Sequence, residues 1–454
     1  MTAAFDGHRV VVIGLGVSGR AAAEALAAEG AEVWVSEARP PDEIAPWPDG
    51  AGVDVRAGGH RPEHLDGATL AVVSPGVPEH APVIRWALER GLPVWSELEV
   101  GARLCRVPYV AVTGTNGKTT TTEMVAEMMT QAGLRARACG NVGYPFATAA
   151  RQSFDALAVE ASSFQLRFTE TLHPRVSVLV NLSPDHLDWH GSMAAYAEAK
   201  ARVFGSQRAG DVHIGNADDP EARAISAEAP CEVRWFREGP PEPGQIGVEG
   251  GAVVARNGTR RELGAPRGGS RAFLIDAAAA SAASLAFGLG AEPVGRALAA
   301  ASPGPHRGQE VARLGSVVFV DDSQATNPQA ALASLIGRTD VVLIAGGVAK
   351  GLDLSPLRAA APSLAAVVAI GEAAEALRSV FADAAPVHVA TTMEEAVAAA
   401  ADLVPPDGIV LLAPACASFD MFRDYRERGD RFAAAARAVV EKRRRRVRRE
   451  DTHA

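Results

Sequence analysis

Tyr109-Val-Ala-Val-Thr113-Gly114-Thr115-Asn116-Gly117-Lys118-Thr119-Thr120-Thr121-Thr122-Glu123-Met124 is the run whose reading decides the fold. A β-rich segment, Tyr109 to Thr113, enters a glycine loop, and Lys118 opens a stretch with helical spacing. Small residues let backbone N–H groups approach phosphate oxygens, and a helix start adds its positive end. A lysine then meets the outer phosphates, and a hydroxyl such as that of Thr119 can reach Mg²⁺. The strict phosphate-loop pattern asks for glycine where Val112 stands, so this is a shortened variant. A plain strand-to-helix turn would not need the lysine and hydroxyl at these positions.

The chain around it has 454 residues, 48% hydrophobic and 22% charged, which suits a globular protein with several cores and, by length, about three domains. A formal charge of −9 argues against nucleic acid as partner. No signal-peptide pattern and no long apolar run suggest export or a membrane span. Cys105, Cys139, Cys231 and Cys416 lie far apart without a Cys-x-x-Cys, which fits a reduced, cytoplasmic setting. Only four of the 45 basic residues are lysines: Lys118, Lys200, Lys350 and Lys442. In an arginine-biased chain, a retained lysine points to a need for a compact, deprotonatable amine. Lys442 leads into the Arg443–Arg449 tail and reads as a solvated helix end, which leaves the other three as site candidates.

Towards the N-terminus, His8 to Ile13 reads as a buried strand followed by Gly14-Leu15-Gly16-Val17-Ser18-Gly19 and an alanine-rich helix to about Ala28. A second strand, Glu32 to Ser36, ends at Glu37-Ala38-Arg39, with the acidic residue 18 positions after Gly19. This Gly-x-Gly-x-x-Gly fingerprint indicates a nucleotide or a dinucleotide without saying which. The strand Leu70–Val73 ends in Ser74-Pro75-Gly76, a loop for the carboxyl edge of a parallel sheet, or a simple turn.

The middle of the chain carries Glu160-Ala-Ser-Ser-Phe-Gln165 and Asn181-Leu-Ser-Pro-Asp185-His186-Leu-Asp188-Trp-His190, each after a strand. A carboxylate directly after a strand beside a phosphate loop is placed to meet Mg²⁺. Met193 to Phe204 has helical spacing and carries Lys200. The Gly-, Pro- and Arg-rich segment 238–270 predicts irregular hairpins, and 276–289 a helix with Asp276 as N-cap. Beyond Ser302-Pro-Gly-Pro305, strands end at Asp321-Asp322-Ser323-Gln324-Ala325-Thr326-Asn327, Gly346-Gly347-Val-Ala-Lys350 and Ala413-Pro-Ala-Cys-Ala-Ser418-Phe-Asp420. Strands alternating with helices imply a further doubly wound unit.

In order and spacing these motifs, with Gly140-Asn141-Val-Gly143, Asn216–Asp219 and His306-Arg307, resemble the Mur ligase family over nearly the whole chain. Within it they look most like the branch that adds D-glutamate to UDP-N-acetylmuramoyl-L-alanine. The resemblance implies an α/β, three-domain architecture: a Rossmann-like UDP-binding domain (1–106), a central P-loop ATPase domain (107–302) and a C-terminal Rossmann-like domain (303–454). It implies ATP and two Mg²⁺ ions as cofactors, a monomer, and neither nucleic acid nor membrane as partner. ATP would be held by Gly114, Thr115, Asn116, Gly117, Lys118, Thr119, Thr120, Asp276, Arg307 and Asp322. Thr119 and Glu160 would serve one Mg²⁺, and His186 with a carbamylated Lys200 the other, with Lys118, Glu160, His186 and Lys200 as the catalytic set. Gly14, Leu15, Gly16, Val17, Ser18, Glu37, Arg39, Ser74 and Gly76 would take the UDP end, and Asn141 and Gln165 the muramoyl-alanine region. Thr326, Lys350, Ser418 and Tyr425 would hold the incoming amino acid.

The sequence departs from the family pattern at three places. Gln324 stands where the family has lysine, Ser270-Arg-Ala-Phe-Leu-Ile-Asp276 replaces a Gly-x-His-Asn-x-x-Asn run, and Asp188-Trp189 replaces Asp-Arg. Gln324 removes a full positive charge; a rate lowered by Gln324→Lys would mean that another cation, Arg271, already fills the place, and a raised one that the native enzyme is slow. The departures leave open another acceptor, such as L-glutamate. A folylpolyglutamate synthetase-like ligase would leave residues 1–106 unexplained. An NAD-dependent oxidoreductase would leave Lys118, Glu160 and Lys200 idle, and a non-catalytic nucleotide-binding scaffold has only the departures in its favour.

Overall fold

The computed structural model describes residues 4–45, 47, 53–141 and 143–451, with side chains as far as 445. Val142 of the Gly140–Gly143 motif and the end of the arginine tail therefore lie outside the described side chains. Two compact units result: residues 1–182, 189–267 and 274–301 form one, and residues 183–188, 268–273 and 302–454 the other.

The first unit holds two sheets. Strands β1 (Arg9–Ile13), β2 (Glu32–Ser36), β3 (Val53–Arg56), β4 (Leu70–Val73) and β5 (Val94–Ser96) are parallel in the order β3-β2-β1-β4-β5. Strand order reverses between β1 and β4, and both strands lead into small-residue loops there, Gly14–Gly19 and Ser74–Gly76. A crevice at such a reversal is where open parallel sheets bind ligands. β1 and β4 are almost wholly apolar and buried, as strands covered on both faces must be.

The second sheet of this unit runs through β6 (Tyr109–Thr113), β7 (Ala136–Gly140), β8 (Ala156–Glu160), β9 (Val176–Leu179), β10 (Val212–Asn216), β11 (Glu232–Phe236), β12 (Ile246–Glu249), β13 (Ala252–Asn257) and β14 (Thr259–Gly264). Their order is β14-β13-β12-β11-β10-β9-β6-β8-β7. β6 lies between β8 and β9, so the glycine loop leaves an interior strand of the sheet at its carboxyl edge. Within the segment expected to form irregular hairpins, β12, β13 and β14 form an antiparallel meander that extends the sheet, with a register shift at Val253/Val254. Gly250 and Gly258, both with positive φ, supply the tight reversals, so the glycines that suggested irregularity are the hairpin turns themselves.

The helix expected from 276 begins earlier. It spans Arg271–Phe287, and Ser270 Oγ accepts the Phe273 N–H at 3.3 Å, the bond of an N-cap. Asp276 is thus not the cap but lies in the helix, on its buried side. Its apolar neighbours Phe273 and Ala277–Ala280 continue the buried stripe to either side.

The second unit carries β15 (Gln309–Leu314), β16 (Val317–Asp321), β17 (Val341–Gly346), β18 (Leu364–Ile370), β19 (Val387–Ala390) and β20 (Ile409–Leu412), in the order β15-β16-β20-β17-β18-β19. All pairs are parallel except β15 with β16. The central three strands, β16, β20 and β17, deliver the Asp322–Asn327, Ala413–Asp420 and Gly347–Lys350 loops to one edge. Among the described residues no helix is long and apolar enough to cross a membrane.

Candidate active-site residues

In the first unit the phosphate loop is held by the chain that follows β9. Asn181 accepts the N–H groups of Thr115 and Asn116 on its Oδ1, at 3.1 and 2.8 Å, and returns its own Nδ2 to Asn116 O. Gly117 takes a left-handed conformation (φ 78°) and opens the Lys118–Gln131 helix. A Cβ there would run into the Asp276 carboxylate, so this glycine is required by close approach as well as by φ. Lys118 Nζ donates to Gly114 O and Thr115 O at 3.0 and 2.8 Å. Lys200, on the Met193–Ala201 helix and buried, donates to the same Gly114 O at 2.6 Å and lies over the Tyr196 ring. Two of the retained lysines therefore meet at one carbonyl.

Glu160, at the end of β8, is 1% exposed. Its Oε1 accepts Asn141 Nδ2 at 2.8 Å, while Oε2 is buried and, among the described residues, has no hydrogen-bond partner. Stripping a carboxylate oxygen of water without a donor is costly, so this atom is suited to a cation. Gln165 closes a capping box with Ser162, which fixes its side chain at the start of a short helix. His190 stacks on Phe164 and puts Nε2 against Ser163 Oγ at 2.9 Å. Burial, with Lys200 and Arg167 nearby, pushes its imidazolium down to about 4, so it is neutral at pH 7. Thr119 and Thr120 occupy the first turn of the helix after Lys118.

At the other crevice, Ser74 packs against the glycine loop: a Cβ on Gly14 would lie 3.1 Å from Ser74 Cβ, and one on Gly16 would lie 3.3 Å from its Oγ. Glu37 Oε2 accepts the Leu15 N–H at 2.5 Å, and Arg39 Nη2 donates to Leu15 O and to Glu37. Burial pushes the Glu37 carboxyl up, but the Arg39 and Leu15 donors overcome it and hold it at about 2. Gly14, Leu15, Gly16, Glu37, Arg39 and Ser74 are thus one cluster, while Val17 is 69% exposed beside it and a Cβ on Gly76 would meet nothing.

In the second unit, Asp185 receives Lys350 Nζ at 2.8 Å, Asn327 Nδ2 at 3.2 Å and the N–H of His186. Burial opposes its charge, but His186 and Lys350 keep the carboxyl below its ordinary value. His186 and Lys350 both hold positive φ, a strained conformation for such residues. Asp322 is hydrogen-bonded by Ser334 Oγ, and burial raises its carboxyl to about 6. Arg307 Nε–H donates to Gln324 Oε1 at 2.5 Å. The cation that hydrogen-bonds Gln324 is thus Arg307. Thr326 N–H bonds back to Gln324 O, Ser418 Oγ belongs to a buried residue after β20, and Tyr425 O accepts Ser323 Oγ at 2.7 Å. His186 and Lys200, expected to share an ion, belong to different units.

Three family models cover the chain in succession: the MurD-like N-terminal domain over residues 8–96, the Mur ligase middle domain over 112–242, and the Mur ligase glutamate ligase domain over 306–416. The chain belongs to the Mur ligase family. Among full-length relatives, the UDP-N-acetylmuramoylalanine–D-glutamate ligase of Frankia casuarinae is 45% identical, over 95% of this chain and 94% of its own. The enzyme of the same name from Salinibacter ruber is 39% identical, over 93% and 96%. Among solved structures, the MurF ligase of Thermotoga maritima in complex with ADP superposes with a TM-score of 0.61 at 15% identity, covering 98% of both chains. The UDP-N-acetylmuramate–alanine ligase MurC of the same organism gives 0.59 at 17%, over 95% of this chain and 99% of that one. At such identities the superpositions speak for the fold, three α/β domains in sequence.

The sequence reading missed several side chains that hold this Mur ligase's loops. Arg428 is wholly buried and reaches Ser323 Oγ, Ser323 O and Cys416 O at 3.0, 2.8 and 3.0 Å. Burial lowers its guanidinium to about 10. A signal was available: Arg428 lies on the helical stripe of Phe432, Ala435, Ala436 and Val440, where a charge is out of place. Asn181 and Asp185 were inside a recognised motif and Tyr196 inside the helical stretch Met193–Phe204, but nothing local assigned their partners.

Proposed function

We infer that this chain joins D-glutamate to UDP-N-acetylmuramoyl-L-alanine in peptidoglycan synthesis, as an ATP-dependent acid–amino-acid ligase. The observation that carries the reading is end-to-end similarity, at 45% identity, to a protein named for that reaction. The phosphate loop, with its lysine and buried carboxylate, supports it. ATP phosphorylates the substrate carboxylate, the amine of glutamate attacks the resulting acyl phosphate, and the tetrahedral intermediate collapses to an amide and phosphate. Catalysis of this kind rests on positioning and charge neutralisation.

Residues 1–106 would bind the UDP end, 107–302 the ATP, and 303–454 the amino acid. Lys118 would leave its loop carbonyls for the β- and γ-phosphates, and the Gly114–Thr120 amides, Asp276, Arg307 and Asp322 would complete the nucleotide site. Gly14–Ser18, Glu37, Arg39, Ser74 and Gly76 would hold UDP, with Asn141 and Gln165 towards the muramoyl-alanine end. Lys350, Thr326, Ser418 and Tyr425 would take the glutamate carboxylates, Lys350 exchanging Asp185 for substrate.

The orphaned Glu160 oxygen fits a divalent cation. Among the described residues no three of His, Cys, Asp and Glu gather into a ready cage, which suits an ion held largely by phosphates. Thr119, Glu160, His186 and Lys200 would hold Mg²⁺, which when bound supplies neutralisation of phosphate charge. Lys200 fits only as a carbamate, since its ammonium would repel the ion. The enzyme would work as a cytoplasmic monomer.

Phosphate release from ATP, dependent on both UDP-N-acetylmuramoyl-L-alanine and D-glutamate, tests the reading. Release with L-glutamate and not D-glutamate would replace the acceptor. NAD binding without response to the UDP substrate would overturn the assignment of the first crevice.

A further inference from the structure

We propose that Gln324 is a positioning residue for Arg307, so that the two side chains together present one oriented cation where a lone lysine would present another. The proposal rests on the ligase reading above. Arg307 Nε–H meets Gln324 Oε1 at 2.5 Å, and the backbones of the same two segments are joined by Gln324 N–H to His306 O at 3.3 Å. A guanidinium held at its Nε edge is fixed in plane, which a flexible ammonium cannot be.

The backbone that carries Gln324 is itself pinned on both sides. Ser323 is held by Arg428 through its hydroxyl and carbonyl, and its own hydroxyl donates to Tyr425 O. Ala325 N–H donates to Asp322 O, and Ala325 O accepts Ala415 N–H at 2.8 Å. Asn327 caps the Pro328–Leu335 helix through Ala330 N–H. On the other side, His306 Nδ1 lies 2.7 Å from Asp321 Oδ2, which anchors the residue before Arg307. Neither partner can drift far from the other.

Lysine at 324 would bring an ammonium against the Arg307 guanidinium and remove the acceptor that holds it. The arrangement therefore requires an acceptor at 324, which glutamine supplies without a cation, and its presence does not mark a weakened site. Methionine would fill a similar volume without the acceptor, and glutamate would keep an acceptor.

The experiment is kinetic, on the full chain with ATP, UDP-N-acetylmuramoyl-L-alanine and D-glutamate. Gln324→Lys and Gln324→Met should each lower kcat at least about threefold with KM for D-glutamate within about twofold, while Gln324→Glu should lie closer to wild type than Gln324→Met. In an Arg307→Gln background, Gln324→Met should have no further effect, and Gln324→Lys should recover part of the lost rate by restoring a cation. Additive losses in the two backgrounds, or a Gln324→Lys enzyme as fast as wild type, would overturn the proposal. Should wild type release no phosphate, the ligase reading fails by itself. The coupling is then read from the rise in unfolding temperature with ATP, measured for wild type, Arg307→Gln, Gln324→Met and the Arg307→Gln/Gln324→Met double variant. Non-additive rises support the pairing and additive ones refute it.

Discussion

Lys200 Nζ lies 2.6 Å from the carbonyl oxygen of Gly114, buried, in the loop that would receive the phosphates of ATP. As an ammonium it is a good donor there and a poor neighbour for Mg²⁺. As a carbamate it would be an anion, unable to keep the cation's bond to Gly114 O and able to face the metal. Lys200→Ala and Lys200→Arg should therefore both be nearly inactive, with short-chain carboxylic acids restoring part of the Lys200→Ala rate. Labelled ¹³C-bicarbonate should give a carbamate resonance in wild type that Lys200→Arg lacks. A fully active Lys200→Arg enzyme would sink the idea, since a guanidinium cannot be carbamylated.

Lys118 shares that carbonyl and closes on Thr115 O as well. With ATP present these bonds would be exchanged for phosphate oxygens, where a preorganised cation contributes most in the transition state. Lys118→Ala should lower kcat by roughly a hundredfold or more, the scale of losing one such contact. Wild-type phosphate release by that variant would remove this lysine from the site.

How much of this could be read beforehand depended on range. The strands Tyr109–Thr113 and Glu32–Ser36 were legible because buried parallel strands are continuous apolar runs ended by glycine or polar loops. The Asp276 helix was misplaced by five residues because Asp is a good cap in isolation, whereas Ser270 upstream holds that place. What local pattern could not supply was pairing across the chain: Lys200 with Gly114, Arg428 with Ser323, Asn181 with the phosphate loop. Each joins segments 65 or more positions apart, beyond any periodicity. The motifs named the loops, and only the fold names what holds them.

Glu97 shows a second kind of residue hidden from spacing. It lies in the first turn of the Glu97–Leu104 helix, 1% exposed, and accepts the Ala147 N–H at 2.6 Å on Oε1, while Oε2 is buried without a partner among the described residues. Burial, only partly offset by the N–H groups of Ala147 and Phe146, raises its carboxyl from 4.5 to about 7. Because the folded value is the higher one, this residue's stabilisation is complete below about pH 4.5 and is lost as pH rises through about 7. At ~1.4 kcal/mol for each tenfold change, the loss is on the order of 3 kcal/mol. Glu97→Gln should therefore flatten the fall in Tm between pH 5 and pH 8 by about 3 °C or more. Identical pH slopes for the two proteins would show that Glu97 ionises without penalty.

Arg428 sets two effects against each other. Its burial without a carboxylate partner among its hydrogen bonds is costly, as the drop of its guanidinium to about 10 records. Removing it would relieve that cost but strip Ser323 O and Cys416 O of their donor, at about 1–3 kcal/mol for each buried acceptor. The stripped groups should win, because both sit in loops at the carboxyl ends of β16 and β20, away from replacement by water. Arg428→Met should lower Tm, by the equivalent of about 2 kcal/mol, and Arg428→Lys by less, since an ammonium can satisfy part of the set. The same loops carry Thr326 and Ser418, so KM for D-glutamate should rise more than KM for the UDP substrate, whose proposed residues lie in the other unit. An Arg428→Met protein with unchanged Tm and unchanged KM for D-glutamate would show that these loops hold themselves.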